Sequence, residues 1–414
     1  MESKKPNNRR NLSGMLTVNP KKTDIHGYKR RLELAFEKIE VEESFNDTDK
    51  RLVREFGHYL LAVGQNPGRV AKVIFQLFVL KRHMDVEFVK ADRASIERLL
   101  LWLNGYEGYT AWTKSDAKGH LKRFYKWIRY QTTSQEQPFP PEVAWFSTRV
   151  KLNEIKEPET FTTQEVESMI RVAYKIRDKA FIAISNEGGF RIGETLGMKI
   201  GDVRFDEHGA RAMVTGKTGP RPVRLITSAS LLTRYIEEHP LRDNLQAPLW
   251  LSLSRRYPDL RCTSYHSIQI MLKQIAKKAG VNKRVHTHMF RHTAATRDAP
   301  LLTEAQLRIK YGWSKSSDSP STYVHLSARD VDSKLISVYS GKTLEYQKPE
   351  FSPIICPRCS ERNTPGLKYC GRCGSPLDPE KLAVASIAEI QSSMRLEAVE
   401  KKLQEALAQR KVEG

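Results

Sequence analysis

The chain has 414 residues, enough for two or three compact domains, and 39% of them are hydrophobic, enough to give each a core. No run approaches the ~20 apolar residues of a membrane-crossing helix, and the polar N-terminus lacks the apolar stretch of a signal peptide, so a cytoplasmic protein is expected. A formal net charge of +21, with Lys and Arg spread through every segment, exceeds what solubility asks and points to a polyanionic partner, nucleic acid first.

Residues 1–22 read as a basic flexible arm carrying Lys4, Lys5, Arg9 and Arg10. Residues 23–132 read as an all-helical domain, because apolar side chains recur at spacings of three and four. Tyr28, Leu32, Ala35, Phe36 and Ile39 mark a first helix, and Leu52, Val53, Phe56, Tyr59 and Leu60 a second that Gly64 closes. Pro67 suits the first turn of a third, striped by Val70, Val73, Ile74, Leu77 and Phe78. Ile96, Leu99, Leu100 and Leu103 mark a fourth, stopped by Asn104 and Gly105, and Leu121, Phe124, Tyr125 and Ile128 a fifth.

Pro138, Pro140 and Pro141 break the pattern, and residues 133–158 have the composition of an interdomain linker. A second domain, 159–345, opens on a strong helix start: Thr162 and Glu165 can form a capping box, and Phe161 can staple to Val166. The apolar run Ala180 to Ile184 follows, then Gly188 and Gly189, then strand-like pieces from Asp202 to Ile226. Arg211 to Thr215 and Arg221 to Ile226, joined by Gly216-Lys217-Thr218-Gly219-Pro220, read as a β-hairpin. Helices are expected around Leu231 to Glu238 and Ile268 to Lys278. Beyond a cysteine-rich module at 352–378, residues 380–412 contain no Pro or Gly and read as one long helix, with Leu396, Val399, Leu403 and Ala406 giving a narrow apolar seam.

Cleaving a phosphodiester without a metal needs a nucleophile, positive charge on the non-bridging oxygens, and a proton for the leaving alkoxide. Arg191, Lys217, His288, Arg291 and Tyr323 can supply these roles. Arg191 follows two glycines that end one helix and begins the next, near a helix N-terminus suited to phosphate, although an ordinary surface arginine fits this segment equally well. His288 and Arg291 lie three apart and share a helix face, with Thr287 as the expected N-cap and Met289 and Phe290 turned to the core. His292 sits about 100° around the helix from Arg291 and reads as support or packing. Tyr311 and Tyr339 are rival nucleophiles, the first expected to pack on its helix and the second lying past the motif.

Taken in order, the Gly-Phe-Arg-Ile-Gly-Glu box, the hairpin Lys, the His-x-x-Arg-His-Thr box, the Tyr-Gly-Trp-Ser box and Thr-Tyr-Val-His resemble the tyrosine recombinases, also called the lambda-integrase family. The resemblance is close from Phe161 to Tyr339 and looser in the helical half, which would be that family's core-binding domain, a clamp on DNA. It implies a mainly α fold with a small β-sheet and a mixed α/β catalytic domain.

It also implies that Tyr323 attacks a scissile phosphate to give a 3′-phosphotyrosine while Arg191 and Arg291 clamp the non-bridging oxygens. Lys217 would protonate the leaving oxygen, His288 would hydrogen-bond the phosphate and assist proton transfer with Tyr323, Trp313 would donate its indole N–H, and Glu194 would orient the basic residues from behind. Double-stranded DNA and a homotetramer on DNA are the implied partners, with no nucleotide cofactor and no catalytic metal. The Ser-rich segment before Tyr323 leaves open whether it acts in its own site or a neighbour's. A DNA-binding protein on the same scaffold that has lost catalysis, and a type IB topoisomerase-like nicking and closing enzyme, are the competing readings.

Cys356-Pro-Arg-Cys359, then ten residues, then Cys370-Gly-Arg-Cys373 has the spacing of two metal knuckles, and four thiolates make a closed, structural zinc site in preference to a redox pair or an iron–sulfur cluster. Arg358, Arg362, Lys368 and Arg372 suit either DNA contact or protein docking. Recombinases of archaeal type sometimes carry such a zinc ribbon. Cys262 is left over, as a small buried or half-buried residue.

Overall fold

The computed structural model describes residues 24–150, 159–216, 218–252, 262–327, 339–340 and 350–412, without the side chains of 324–327 and 401–412. The expected basic arm, the last eight residues of the expected linker and Lys217 lie outside these residues. The chain is mainly helical with small antiparallel sheets, and it forms two compact units, His26–Ile155 and Lys156–Gly414 with Met1–Ile25.

The first unit contains α1 Tyr28–Val41, α2 Asp47–Ala62, α3 Pro67–Lys81, α4 Arg93–Gly105, α5 Ala111–Tyr130 and the single turn α6 Pro141–Ala144. Each of four helices starts where a side chain takes up an orphan backbone N–H: Asn46 accepts from Asp49, Asn66 from Gly68, Asp92 from Ser95 and Thr110 from Thr113. The apolar stripes predicted for these helices meet in one core around Ile39, Phe56, Leu77, Leu99 and Phe124.

Residues 133–150, expected as a linker, are laid onto this unit. The backbone N–H of Thr133 donates to Tyr59 Oη at 3.0 Å, Lys126 donates to the Ser134 carbonyl at 2.9 Å, and Val143 is wholly buried in the core. Their prolines break helical periodicity without preventing burial, which composition alone does not reveal.

The second unit begins with α7 Thr163–Val172, α8 Ile176–Gly188 and α9 Ile192–Gly197, followed by β1 Val203–Asp206, β2 Gly209–Gly216 and β3 Gly219–Leu225. The capping box of Thr162 and Glu165 is formed. The three strands pair antiparallel in sequence order, and the β2–β3 hairpin closes with Gly216 opposite Gly219. After α10 Ala229–Glu237 and α11 Tyr265–Lys278 come α12 Thr287–Asp298, α13 Glu304–Tyr311 and α14 Ser319–Ser327. α8, buried on nearly every side, is the centre against which α7, α10 and α12 pack. The α12 cap falls one residue earlier than expected: His286 occupies it and Thr287 is the first helical residue.

The cysteine module, with strands β4 Ile354–Ile355 and β5 Arg362–Asn363, belongs to the second unit. Thr364, fully buried, donates its backbone N–H to the Ser230 hydroxyl (3.2 Å) and its own hydroxyl to the Thr227 carbonyl (2.7 Å) at the start of α10. Phe351 and Leu367 join the core of that unit. The terminal helix Pro379–Val412 is one continuous helix, and Leu396 and Val399 of the expected seam are exposed, while Leu403 and Ala406 lie among the side chains not described. Among the described residues, no helix is long and apolar enough to cross a membrane.

Candidate active site

The Gly188-Gly189 turn decides where Arg191 lies. Gly189 adopts φ +58°, and a Cβ there would come within 2.5 Å of the Tyr311 ring, so only glycine lets α8 end against the buried Tyr311. The chain then reaches Arg191, the N-cap of α9. Its guanidinium donates to Glu194 Oε1 (2.9 Å), the Tyr311 carbonyl (3.3 Å) and the Gly312 carbonyl (3.0 Å).

Arg291 arrives from the middle of α12, with Met289 and Phe290 in the core as expected. It donates to the Gly189 carbonyl at 3.0 Å and the Tyr311 carbonyl at 2.6 Å, so both arginines are steered by the peptide that ends α13. The Arg291 guanidinium lies 5.1 Å from the Tyr311 ring centre and 5.4 Å from that of Trp313, a cation–π arrangement. Burial, followed by the charge of Arg191, lowers its pKa to about 10, still cationic at neutral pH.

Behind them lies Arg221, which sequence reasoning missed. It is 7% exposed and grips Glu194 with its two terminal nitrogens, at 3.0 and 2.8 Å. Burial pushes the Glu194 carboxyl up, but hydrogen bonds from Arg221 and the Arg191 backbone outweigh it and hold the carboxyl below its ordinary value. Two guanidiniums thus share one carboxylate while the third, Arg291, bonds backbone carbonyls, an excess of positive charge that an anion would neutralise. The signal for Arg221 was strand alternation: it falls on the inward face of β3 with Val223 and Leu225, where a charge must be paired.

Lys217 lies outside the described residues, but the neighbours of its loop reach this site. A Cβ on Gly216 would meet Glu194 Oε1 at 2.4 Å, and Thr218 Oγ1 lies 3.4 Å from the Gly312 carbonyl.

Tyr323, on α14, is 5% exposed and stacks on Trp313 with ring centres 5.6 Å apart and an interplanar angle of 11°. Trp313 in turn stacks on Tyr311 at 5.0 Å. The Tyr323 phenol lies in the site of its own chain, 2.6 Å from His292 Nδ1. Burial raises its pKa, so it is protonated at neutral pH.

The imidazole on the phenol is therefore that of His292, and His288 is exposed with its ring centre 6.4 Å from that of His292. The 100° measured from Arg291 was correct, but residues four apart share a face, and that criterion aligns His292 with His288. Burial, then the neighbouring charges, lowers the pKa of both histidines.

The rivals to Tyr323 are poorly suited to attack. Tyr311 is fully buried, its hydroxyl donated to Asp298 at 2.7 Å, and Tyr339 is 87% exposed. Asp298, also missed, accepts from Arg297 and Lys310 as well, locking α13 to α12. Thr293 accepts the Phe161 backbone N–H at 2.8 Å, joining α12 to the start of α7.

The four cysteines of the module converge. Their Sγ atoms all lie within 4.8 Å of one another, with Cys356–Cys373 and Cys359–Cys370 at 3.7 Å. Thiolates at Zn–S distances of about 2.3 Å in a tetrahedron would be spaced by about 3.8 Å, so the set fits a zinc ion. The Asn363 amide points at Cys370 Sγ from 3.5 Å, and hydrogen bonds from Ser375 lower the Cys373 thiol to about 6. Cys262 is half-buried, and burial raises its thiol to about 11.

Residues 159–329 match the model of the phage integrase family. Tyrosine recombinase XerC of Listeria monocytogenes serotype 4b (strain F2365) is 27% identical over 188 residues, covering 42% of this chain and 58% of that protein. Tyrosine recombinase XerA of Pyrococcus horikoshii is 29% identical over 139 residues, 34% and 47% respectively. The chain thus spans less than two thirds of the length of the curated relatives it matches. Among solved structures, a Tn1549 transposon integrase in complex with a circular intermediate DNA superposes with a TM-score of 0.54 at 16% identity, covering 69% of this chain and 99% of that one, which shows a common fold. Residues 159–329 thus carry a phage integrase family domain, similar in sequence to the tyrosine recombinases.

Proposed function

We propose that the protein is a site-specific DNA recombinase. In this reading Tyr323 Oη attacks a phosphorus of double-stranded DNA, a 3′-phosphotyrosyl bond forms, and a 5′-hydroxyl leaves that later attacks a partner strand. The observation that carries the reading is the stacking of a buried Tyr323 on Trp313, beside two guanidiniums that share an acceptor carbonyl and have an excess of charge to place on an anion. Arg191 and Arg291 hold the non-bridging oxygens, and Glu194 orients them. His288 hydrogen-bonds the phosphate, Trp313 packs the pocket and donates its indole N–H, and Lys217 protonates the leaving oxygen.

The helical unit serves as the core-binding clamp, with the basic arm 1–22 adding phosphate contacts, and the net charge of +21 supports a polyanion as partner. Four protomers assemble on two duplexes. Cys356, Cys359, Cys370 and Cys373 hold a structural zinc ion, whose closed ligand set fixes the ribbon and leaves no position for substrate. Such a ribbon suits the archaeal type of the family. The chemistry conserves bond energy in the phosphotyrosine and requires neither nucleotide nor catalytic metal.

Incubation with a duplex nicked near a candidate site traps the covalent intermediate. Wild-type protein is expected to yield a DNA adduct mapping to the Tyr323 peptide, and Tyr323→Phe to bind DNA without one. Adducts from the Phe variant would overturn the nucleophile assignment.

A further inference from the structure

We infer that His292 is a catalytic residue, the group that takes the proton from the Tyr323 phenol as it attacks and returns it when the strand is rejoined. The inference rests on the reading of Tyr323 as the nucleophile. It follows from a contact that the sequence pattern did not assign: His292 Nδ1 lies 2.6 Å from Tyr323 Oη, within the reach a general base needs. The imidazole of His288 stands one helical turn away, its ring centre 6.4 Å from that of His292.

The arrangement suits a base. Tyr323 is held by stacking on Trp313 from α13's end, and His292 meets its hydroxyl, so the phenol has a proton acceptor and a fixed orientation. The groups that bear on His292 are His286, His288 and Arg291 from its own segment and Tyr323 from α14. Burial comes first, and with the cationic neighbours it disfavours the imidazolium, leaving a neutral ring at neutral pH. With Nδ1 accepting from the phenol, the ring proton sits on Nε2.

The step balances. The Tyr323 Oη–P bond forms as the P–O5′ bond breaks; the phenolic proton passes to His292 Nδ1, and the departing 5′-oxygen takes a proton from the acid assigned above, Lys217. In the rejoining step the 5′-hydroxyl attacks, the Oη–P bond breaks, and His292 protonates the phenolate. His292 and Lys217 thus work at opposite ends of the same in-line displacement, and this separates them experimentally.

The test uses full-length protein and the nicked duplex, with a second duplex whose bridging 5′-oxygen is sulfur, a leaving group that needs no proton. His292→Gln keeps a hydrogen-bond acceptor but cannot take up a proton. It is expected to slow adduct formation roughly 10²- to 10³-fold on both substrates and to remove the acid limb of the pH–rate profile, with DNA affinity unchanged. Lys217→Ala is expected to recover on the sulfur substrate. A His292→Gln variant that reacts within about threefold of wild type with the same pH profile overturns the assignment. So does its recovery on the sulfur substrate, which would make His292 the leaving-group acid. Wild-type protein that forms no adduct on either substrate overturns the recombinase reading itself.

A second measurement leaves His292 in place. In Tyr323→Phe the imidazole loses a donor that favours its neutral form, so its titration point, followed by nuclear magnetic resonance, should rise. An unchanged value would show that the pair is not coupled and would overturn the proposal even if His292→Gln failed to fold.

Discussion

Arg221 meets Glu194 through both terminal guanidinium nitrogens, and the two side chains are only 7% and 3% exposed. Removing one partner of a buried pair strands the other's charge. Arg221→Ala is therefore expected to destabilise the catalytic unit by about 3 kcal/mol, and Glu194→Gln to loosen Arg191 as well. Denaturant unfolding gives the stability loss. Combining Arg221→Met with Glu194→Gln should cost less than the sum of the single changes, because neither charge is then left alone.

Gly216 has no room for a methyl group, since a Cβ would lie 2.4 Å from Glu194 Oε1. Gly216→Ala should displace the carboxylate that holds Arg191 and Arg221, with a stability cost of about 1–3 kcal/mol. Adduct formation should fall while DNA affinity, set by distributed phosphate contacts, changes little. A gel-shift titration beside the adduct assay separates the two.

His120 in the helical unit is buried beside Gln76, and burial lowers its pKa from an ordinary 6.5 to about 4. Between those values the unfolded chain binds a proton that the folded one does not, so stability rises with pH across this window. About 3 kcal/mol should be present above pH ~6.5 and lost as the pH falls to ~4. His120→Leu should flatten that dependence. Hydrogen exchange of the α5 amides at pH 7 and pH 4.5 measures it.

Treatment with a strong chelator under reducing conditions, or Cys370→Ala, should release one zinc ion per chain and unfold the ribbon. Because Thr364 and Leu367 are packed on the catalytic unit, the effect should spread to it as a lower melting temperature. Proteolysis should then cut between Phe351 and Leu377. An unchanged cleavage pattern after complete metal removal would show that packing alone holds the ribbon.

Much of this site was legible because its residues lie in segments whose local pattern is strong. The capping box at Thr162, the β2–β3 hairpin and the apolar partners Met289 and Phe290 all follow from short-range rules, and the last two fix which side of α12 meets the core. His292, Arg221 and Asp298 were missed for a common reason. Each acts through a partner at least 13 residues away, and periodicity gives the face of an element but not what that face meets. The docking of residues 133–150 and of the ribbon was hidden in the same way: Val143 and Thr364 lie in segments without helical or strand periodicity, and only tertiary packing buries them.

That docking has a mechanical consequence for α14. On one side of Tyr323, α14 rests on α12 and α13; beyond it, Glu350 accepts the Thr163 hydroxyl at 2.8 Å and Phe351 is sunk in the core. The chain is thus anchored in the second unit at α14 and again at Glu350 and Phe351. A load applied to the terminal helix would therefore reach the core of the second unit at Phe351 before it reached α14.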